Sequence, residues 1–339
     1  MPTALTNRQF RLASRPSGLP SAEDWKYTEE PVPHPAAGEA LVQNLYISLD
    51  PAMRGWMNES RSYIKPVAVG DVMRALDVGR IVESRHPNFA AGDYVSGAFG
   101  VQCYAITDGR FAYRIDPELA PLPTYLSALG LTGMTAYFGL LDVGRPQPGE
   151  TVVVSAAAGA VGQVAGQIAR IKGCKVIGIA GGAAKCRFIV DELGFDAAID
   201  YKAGNVRSAL KERCPERVHV YFDNVGGEIL EAVLSLLARR ARIVICGSIA
   251  QYNTPGAMRG PANYMALLVD RARMEGFVVF DYEARYPEAI RDIATWMREG
   301  RLQSQEDIVD GIEHFPDALL RLFRGENMGK LLLRVDAAS

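Results

Sequence analysis

The residues Ala156-Ala157-Ala158-Gly159-Ala160-Val161-Gly162 follow three consecutive valines, Val152–Val154, and precede a stretch of apolar and small residues. A buried strand, a small-residue turn and a helix, in that order, form the context in which a glycine-rich loop holds a dinucleotide. Gly159 lets the backbone approach a pyrophosphate, and Gly162 lets the helix pack tightly on its strand. The helix N-terminus turns free N–H groups and a partial positive charge toward the phosphates. Ala157 takes the place of the first glycine of the usual GxGxxG pattern. An Ala/Gly-rich turn can also serve as a plain strand-to-helix connection, so the flanking strand and helix carry the assignment.

The next segment bears on which dinucleotide. A second strand, Lys175–Ala180, ends about twenty residues after the glycines, where an NAD site places Asp or Glu on the ribose 2′-hydroxyl. This chain has Gly181-Gly182-Ala183-Ala184-Lys185-Cys186-Arg187 there, and the next acid along the sequence is Asp191. Lys185 can meet a phosphate that a carboxylate would repel. The pattern therefore predicts NADP(H). The alternative for Lys185 is a solvated charge at a helix start, where a cation is mildly unfavourable.

Holding these loops requires a parallel sheet. From about Leu126 apolar runs alternate with helical stretches, with strand candidates at Thr151–Ser155, Lys175–Ala180, Ala197–Asp200, Val218–Asp223, Ala241–Cys246 and Met274–Val279. Six strands so spaced predict a Rossmann-type, doubly wound α/β domain over 126–300. The first third is different: Ala40–Ile47, Gly79–Ser84, Asp93–Val95 and Cys103–Ile106 are short apolar runs punctuated by Pro and Gly. They predict a β-barrel-like domain over 1–125, completed by 301–339 with a last strand at Lys330–Val335. A chain of 339 residues, 48% hydrophobic and 22% charged, can bury cores for both. A net charge of -2 gives no basic stripe for nucleic acid and no cationic face for a membrane. No apolar run reaches the roughly twenty residues that span a bilayer, and the N-terminus lacks a signal-peptide core, so a cytoplasmic protein is expected. The five scattered cysteines form no CxxC pair, which argues against a disulfide framework and a zinc knuckle.

Several further segments carry a resemblance: Ser48–Gly55 (SLDPAMRG), Thr132–Tyr137 (TGMTAY), Asp223–Gly227 (DNVGG), Cys246–Asn253 (CGSIAQYN) and Glu326–Lys330 (ENMGK). With the nucleotide loop they resemble the zinc-independent, NADPH-dependent double-bond reductases of the medium-chain dehydrogenase/reductase superfamily, over essentially the whole chain. These include alkenal/one oxidoreductases, prostaglandin reductases and bacterial curcumin reductases. The resemblance implies a GroES-like first domain and a homodimer joined through sheet edges. It also implies cofactor contacts from Gly159, Ala160, Val161 and Gly162 to the pyrophosphate, and from Lys185 and Tyr201 to the 2′-phosphate. Asn224, Cys246, Gly247, Ser248, Ile249, Tyr252, Phe277, Val278, Val279 and Asn327 would supply the rest. For Cys246 the side-chain chemistry alone favours a small buried strand-end residue. Gly182 departs from the serine that the family often carries there.

Zinc ligands are missing where related alcohol dehydrogenases place them: Leu49-Asp50-Pro51-Ala52 and Asp71–Val78 contain neither Cys nor His. A catalytic zinc needs three such ligands, so no metal site is expected. Without a Lewis acid, a conjugated enal or enone is the easier substrate. Hydride adds to the β-carbon, a donor must face the resulting enolate oxygen, and a proton must reach the α-carbon. The resemblance points to Tyr252, beyond the carboxyl end of a strand, with the cofactor ribose able to share its role. Its alternative is a loop tyrosine packing its ring. Met53, Tyr63 and Met134 are candidates to line the substrate pocket, while core packing explains the two methionines equally well. A quinone reductase and a cofactor-binding module without turnover are the competing readings.

Overall fold

The alternating apolar runs of the first third become strands in the computed structural model, which describes residues 6–335. The extreme ends of the 1–125 and 301–339 segments lie outside the described residues. The chain divides into two compact units, one of residues 1–126 with 306–339 and one of residues 127–305.

The first unit opens with the antiparallel pair β1 (Thr6–Leu12) and β2 (Trp25–Pro31), neither of which the sequence pattern signals. Then come β3 (Ala40–Ser48), the short helix α1 (Ala52–Trp56), β4 (Asp77–Ser84), β5 (Tyr94–Gly97), β6 (Tyr104–Thr107) and β7 (Ala112–Arg114). The second unit holds α2 (Leu131–Phe138), β8 (Thr151–Ser155), α3 (Ala160–Ile171), β9 (Lys175–Ala180), α4 (Ala183–Arg187), β10 (Ala197–Asp200) and α5 (Val206–Arg213). It continues with β11 (Val218–Asp223), α6 (Gly227–Leu234), β12 (Leu237–Ile245), α7 (Ala266–Asp270), β13 (Arg273–Gly276) and α8 (Tyr286–Arg298). The chain then returns to the first unit with β14 (Glu306–Asp310), α9 (Phe315–Arg324) and β15 (Lys330–Arg334).

In the second unit the strands run in the order β10-β9-β8-β11-β12-β13, all parallel. The order reverses beside β8, the arrangement that opens a ligand crevice at the carboxyl ends of the strands. β8 is buried along its whole length, as expected of a strand covered on both faces. Two strand ends differ from the sequence expectation. β12 starts at Leu237, four residues before Ala241, because Leu237 pairs with Val218 ahead of a register shift. β13 stops at Gly276 because its partner β12 ends at Ile245, leaving Phe277 and Val278 outside the ladder.

The first unit's main sheet runs β14-β15-β3-β4-β5-β7, with β6 on β3, and is antiparallel apart from β14 against β15. Its core gathers Leu12, Ile47, Leu49, Met53, Met57, Met73, Phe315 and Leu333. One interaction closes it across the sequence. Lys330 is 1% exposed, and its Nζ donates to Asp50 Oδ1 at 2.7 Å and to the Leu49 carbonyl at 2.8 Å. Ser48 Oγ donates to the other oxygen of Asp50. Two of the motifs, 280 residues apart, are thus one buried ion pair, and losing either partner would strand a charge.

Asp77, at the start of β4, is fully buried. Its Oδ2 accepts from Phe99 N at 2.7 Å and Gly100 N at 2.8 Å, while Oδ1 has no partner. Loss of solvation holds its carboxyl well above the ordinary range, against the pull of those two N–H groups. A group whose folded pKa is raised favours the fold at low pH, and that contribution fades as pH rises through the folded value. Asp77→Asn keeps an oxygen for both N–H groups and does not titrate. In urea unfolding from pH 5 to 9, wild type should lose stability relative to Asp77→Asn as pH increases; a constant difference would refute this.

Candidate active site

The turn between β8 and α3 is shaped by a backbone contact. Ala156 sits at φ +49, and Gly159 N–H donates to its carbonyl at 2.9 Å. A Cβ on Gly162 would lie 2.3 Å from the Ala156 oxygen and 2.8 Å from the Ala157 Cα, so only glycine fits there without a backbone shift. A Cβ on Gly159 would meet the same oxygen at 3.1 Å. Ala157 N–H donates to Ile179 O at 3.1 Å, tying the turn to β9. Gly159 is the N-cap of α3 and offers no side chain, which leaves the helix's first N–H groups to another acceptor. This cradle fits a pyrophosphate.

At the end of β9 the Tyr201 ring covers Gly181: a Cβ there would lie 2.8 Å from the ring and from the hydroxyl. Gly182, at φ +93, caps α4, which carries Lys185; a Cβ on Gly182 would meet nothing within 4 Å. Asp200 Oδ1 accepts from Gly182 N at 2.8 Å and Lys202 N at 2.9 Å. Sequence reading missed this acid, because it arrives from the neighbouring strand and not along the β9–α4 connection.

The DNVGG turn is organised by Asp223, 1% exposed at the end of β11. Its Oδ1 accepts from the hydroxyls of Tyr221 (2.8 Å) and Ser155 (3.2 Å), and from Val225 N (3.0 Å) and Gly226 N (2.9 Å). Its carbonyl accepts from Cys246 N at 2.9 Å and Gly247 N at 3.0 Å. Burial raises its pKa despite these donors. Asn224 is clamped to β8: its N–H reaches Ser155 Oγ at 2.9 Å and its Nδ2 reaches the Ser155 carbonyl at 2.7 Å. The signal for Asp223 was an acid closing a strand rich in apolar and aromatic residues, VHVYFD.

After β12, Cys246 to Ile249 lead into one 3-10 turn, Ile249–Gln251, which ends at Tyr252. The Tyr252 hydroxyl folds back to accept from Ser248 N at 3.1 Å, over Gly247, whose added Cβ would lie 2.9 Å away. Burial pushes the Cys246 thiol up to about 12, with Asp223 adding to the shift, so it is neither thiolate nor nucleophile at neutral pH. Phe277 packs its ring on Gly139, whose Cβ would lie 2.4 Å from it.

The structure therefore gathers Gly159–Gly162, Lys185, Tyr201, Asn224, Cys246–Tyr252 and Phe277–Val279 along the carboxyl edge of one parallel sheet. Met53, Tyr63 and Asn327 belong to the other unit. Asn327 is 9% exposed and donates from Nδ2 to Gly329 O at 2.8 Å. Met53 (0% exposed) and Met134 (2%) are buried and present no surface to a ligand in this structure, whereas Tyr63 is 58% exposed. Arg54 is structural: it donates to the carbonyls of Gly18 and Pro16 and to Asn58.

Among the described residues no group of three or more His, Cys, Asp or Glu is placed to hold a metal ion. Asp50, where a ligand would be sought, is engaged by Lys330. The donor set does not fit a catalytic zinc.

Two family models match the chain: "N-terminal domain of oxidoreductase" over residues 8–115 and "Zinc-binding dehydrogenase" over residues 160–295. A putative NADP-dependent oxidoreductase, YfmJ of Bacillus subtilis (strain 168), is 45% identical, over 98% of this chain and 99% of its own. An NADPH-dependent curcumin reductase of Escherichia coli (strain K12) is 42% identical over 97% of both chains. An NADP(+)-dependent 2-alkenal reductase of Nicotiana tabacum is 38% identical over 99% of both. CurA of Vibrio vulnificus, solved in complex with NADPH, superposes with a TM-score of 0.93 at 42% identity, covering 98% of this chain and 100% of that one.

Asp223→Ala would leave two N–H groups and two hydroxyls without their common acceptor, at a cost of about 3 kcal/mol. Urea unfolding should report that loss together with weaker NADP+ binding; unchanged values for both would refute the organising role.

Proposed function

This chain belongs to the zinc-independent branch of the medium-chain dehydrogenase/reductases, and we propose that it reduces the C=C bond of α,β-unsaturated aldehydes and ketones with NADPH. The observation that carries this reading is the carboxyl edge of the parallel sheet. There the close-packed glycine turn Gly159–Gly162, suited to a pyrophosphate, and the Tyr252 hydroxyl, which accepts from Ser248 N–H, lie on one scaffold. Relatives named for NADPH-dependent curcumin reduction and for 2-alkenal reduction, each matched over nearly the full length, support it.

NADPH, when bound, supplies the hydride. The chain's task is then to hold phosphate, orient the carbonyl and meet the charge that develops on its oxygen. Gly159–Gly162 receive the pyrophosphate, and Lys185 with Tyr201 take the 2′-phosphate. Asn224 and the segment Cys246–Tyr252 would position the ribose and nicotinamide end, together with Phe277–Val279. Tyr252, whose oxygen accepts from Ser248 N–H, would supply the hydroxyl that meets charge developing on the substrate's carbonyl oxygen. Tyr63 is the exposed candidate among the substrate residues. A cytoplasmic setting fits a reductase that draws on the NADPH pool.

Stopped-flow oxidation of NADPH with an enal, an enone and a benzoquinone tests the assignment: turnover of the first two with saturated product confirms it, and turnover of the quinone alone overturns it. Tyr252→Phe, which keeps the ring, should lower kcat on the enone about ten- to a hundredfold without much change in NADPH affinity. An unchanged rate would remove Tyr252 from the chemistry.

We also propose a homodimer. β13 is an edge strand of its sheet, and the preceding segment exposes Tyr264, Met265, Leu268 (70%) and Val269 (65%). An open strand edge beside an exposed apolar patch favours pairing with a second copy. Light scattering should give twice the 36.9 kDa chain mass for wild type and the single mass for Leu268→Glu; a monomeric wild type would refute it.

A further inference from the structure

Asp200 ends β10 opposite Ala180, the last residue of β9. Its Oδ1 takes the N–H groups of Gly182 and Lys202 at 2.8 and 2.9 Å. The other oxygen, Oδ2, lies outside those two bonds. The Gly182 N–H that Asp200 holds is that of the residue capping α4, the short helix that carries Lys185. Gly182 has no side chain, and a Cβ there would meet nothing within 4 Å. The subsite assigned to the 2′-phosphate thus contains one ammonium on α4, one phenol over Gly181 and one carboxylate at the neighbouring strand end.

A carboxylate beside an adenosine ribose accepts from a 2′-hydroxyl and repels a 2′-phosphate. We propose that Asp200 makes this subsite permissive, tempering the preference for NADPH and admitting NADH as a second, weaker-bound reductant. The proposal rests on the cofactor reading above and goes beyond it. Along the sequence the acid lies nineteen positions after Gly181, beyond an intervening helix; the parallel pairing of β10 with β9 returns it to the glycine turn.

Asp200 therefore has two separable roles. Its oxygen positions the Gly181–Gly182 turn, and its charge sets the selectivity. Asp200→Asn retains an oxygen for both N–H groups and removes the charge. Titration calorimetry with 2′,5′-ADP and with 5′-AMP reads the subsite without turnover. For Asp200→Asn, 2′,5′-ADP should bind about threefold tighter than to wild type, as expected when one like-charge repulsion is removed in a mostly aqueous medium, and 5′-AMP about threefold weaker. The gain on 2′,5′-ADP should shrink as salt is raised. Lys185→Ala should do the opposite, losing 2′,5′-ADP and sparing 5′-AMP. Asp200→Ser, neutral and shorter, serves if the amide variant does not fold.

Equal changes for the two nucleotides in Asp200→Asn, or none, would overturn the selectivity role. Failure of wild type to bind either nucleotide, with Lys185→Ala indistinguishable from it, would instead overturn the cofactor reading itself.

Discussion

The carboxyl edge of the nucleotide-binding sheet depends on one buried carboxylate. Asp223 Oδ1 is a shared acceptor for groups from β8, β11 and the turn beyond β11, and its own carbonyl receives the first two N–H groups beyond β12. Each donor would otherwise be a polar group buried without a partner. Desolvation opposes the charge, as the raised pKa records, so the hub persists because its neighbours gain more than it loses. The result is a rigid edge on which three loops keep fixed relative positions. That is what a site needs if its contribution is orientation.

From that edge the chemical roles separate by element. The β8–α3 turn is held by its own backbone, with Gly162 pressed against the Ala156 carbonyl, so no side chain there can confer selectivity. On the proposed reading, selectivity falls to the end of β10 and the connections after β9 and β10, which carry Lys185, Tyr201 and Asp200, and hydrogen bonding to substrate falls to the segment after β12, where Tyr252 curls back on Ser248. A shared fold can thus change cofactor preference at one edge of the sheet and substrate chemistry at the other, since the two lie on opposite sides of β8 in the strand order.

Much of this was legible in the sequence because the relevant signals are local. Val152–Val154 followed by small residues describes a strand, a turn and a helix within twenty residues. The six strands of the parallel sheet follow from apolar runs alternating with amphipathic stretches. What escaped was non-local or irregular. β1 and β2 mix charged residues through TNRQFRL and WKYTEEP, because much of their outer surface meets solvent. The early start of β12 depends on a register shift against Val218, and the short β13 depends on where its partner ends. Met53 and Met134 illustrate the limit for sites: an apolar residue in a functional-looking segment reads the same whether it faces a ligand or a core, and both are buried here.

Asp200 exposes the weakness of reading cofactor preference as a distance along the chain. The rule that an acid about twenty residues after the glycines marks NAD describes a residue at the end of the second strand. Its physical content is a negative charge within reach of the ribose 2′ position, and that condition concerns space. In a parallel sheet the adjacent strand end satisfies it equally well, because neighbouring strands lie only about 4.8 Å apart. Here β10 delivers a carboxylate to the turn that β9 leaves without one. On the proposed reading, Lys185 and Asp200 act in opposite directions on the ribose 2′ position, and the balance of two charges, not the presence or absence of one residue, sets the preference.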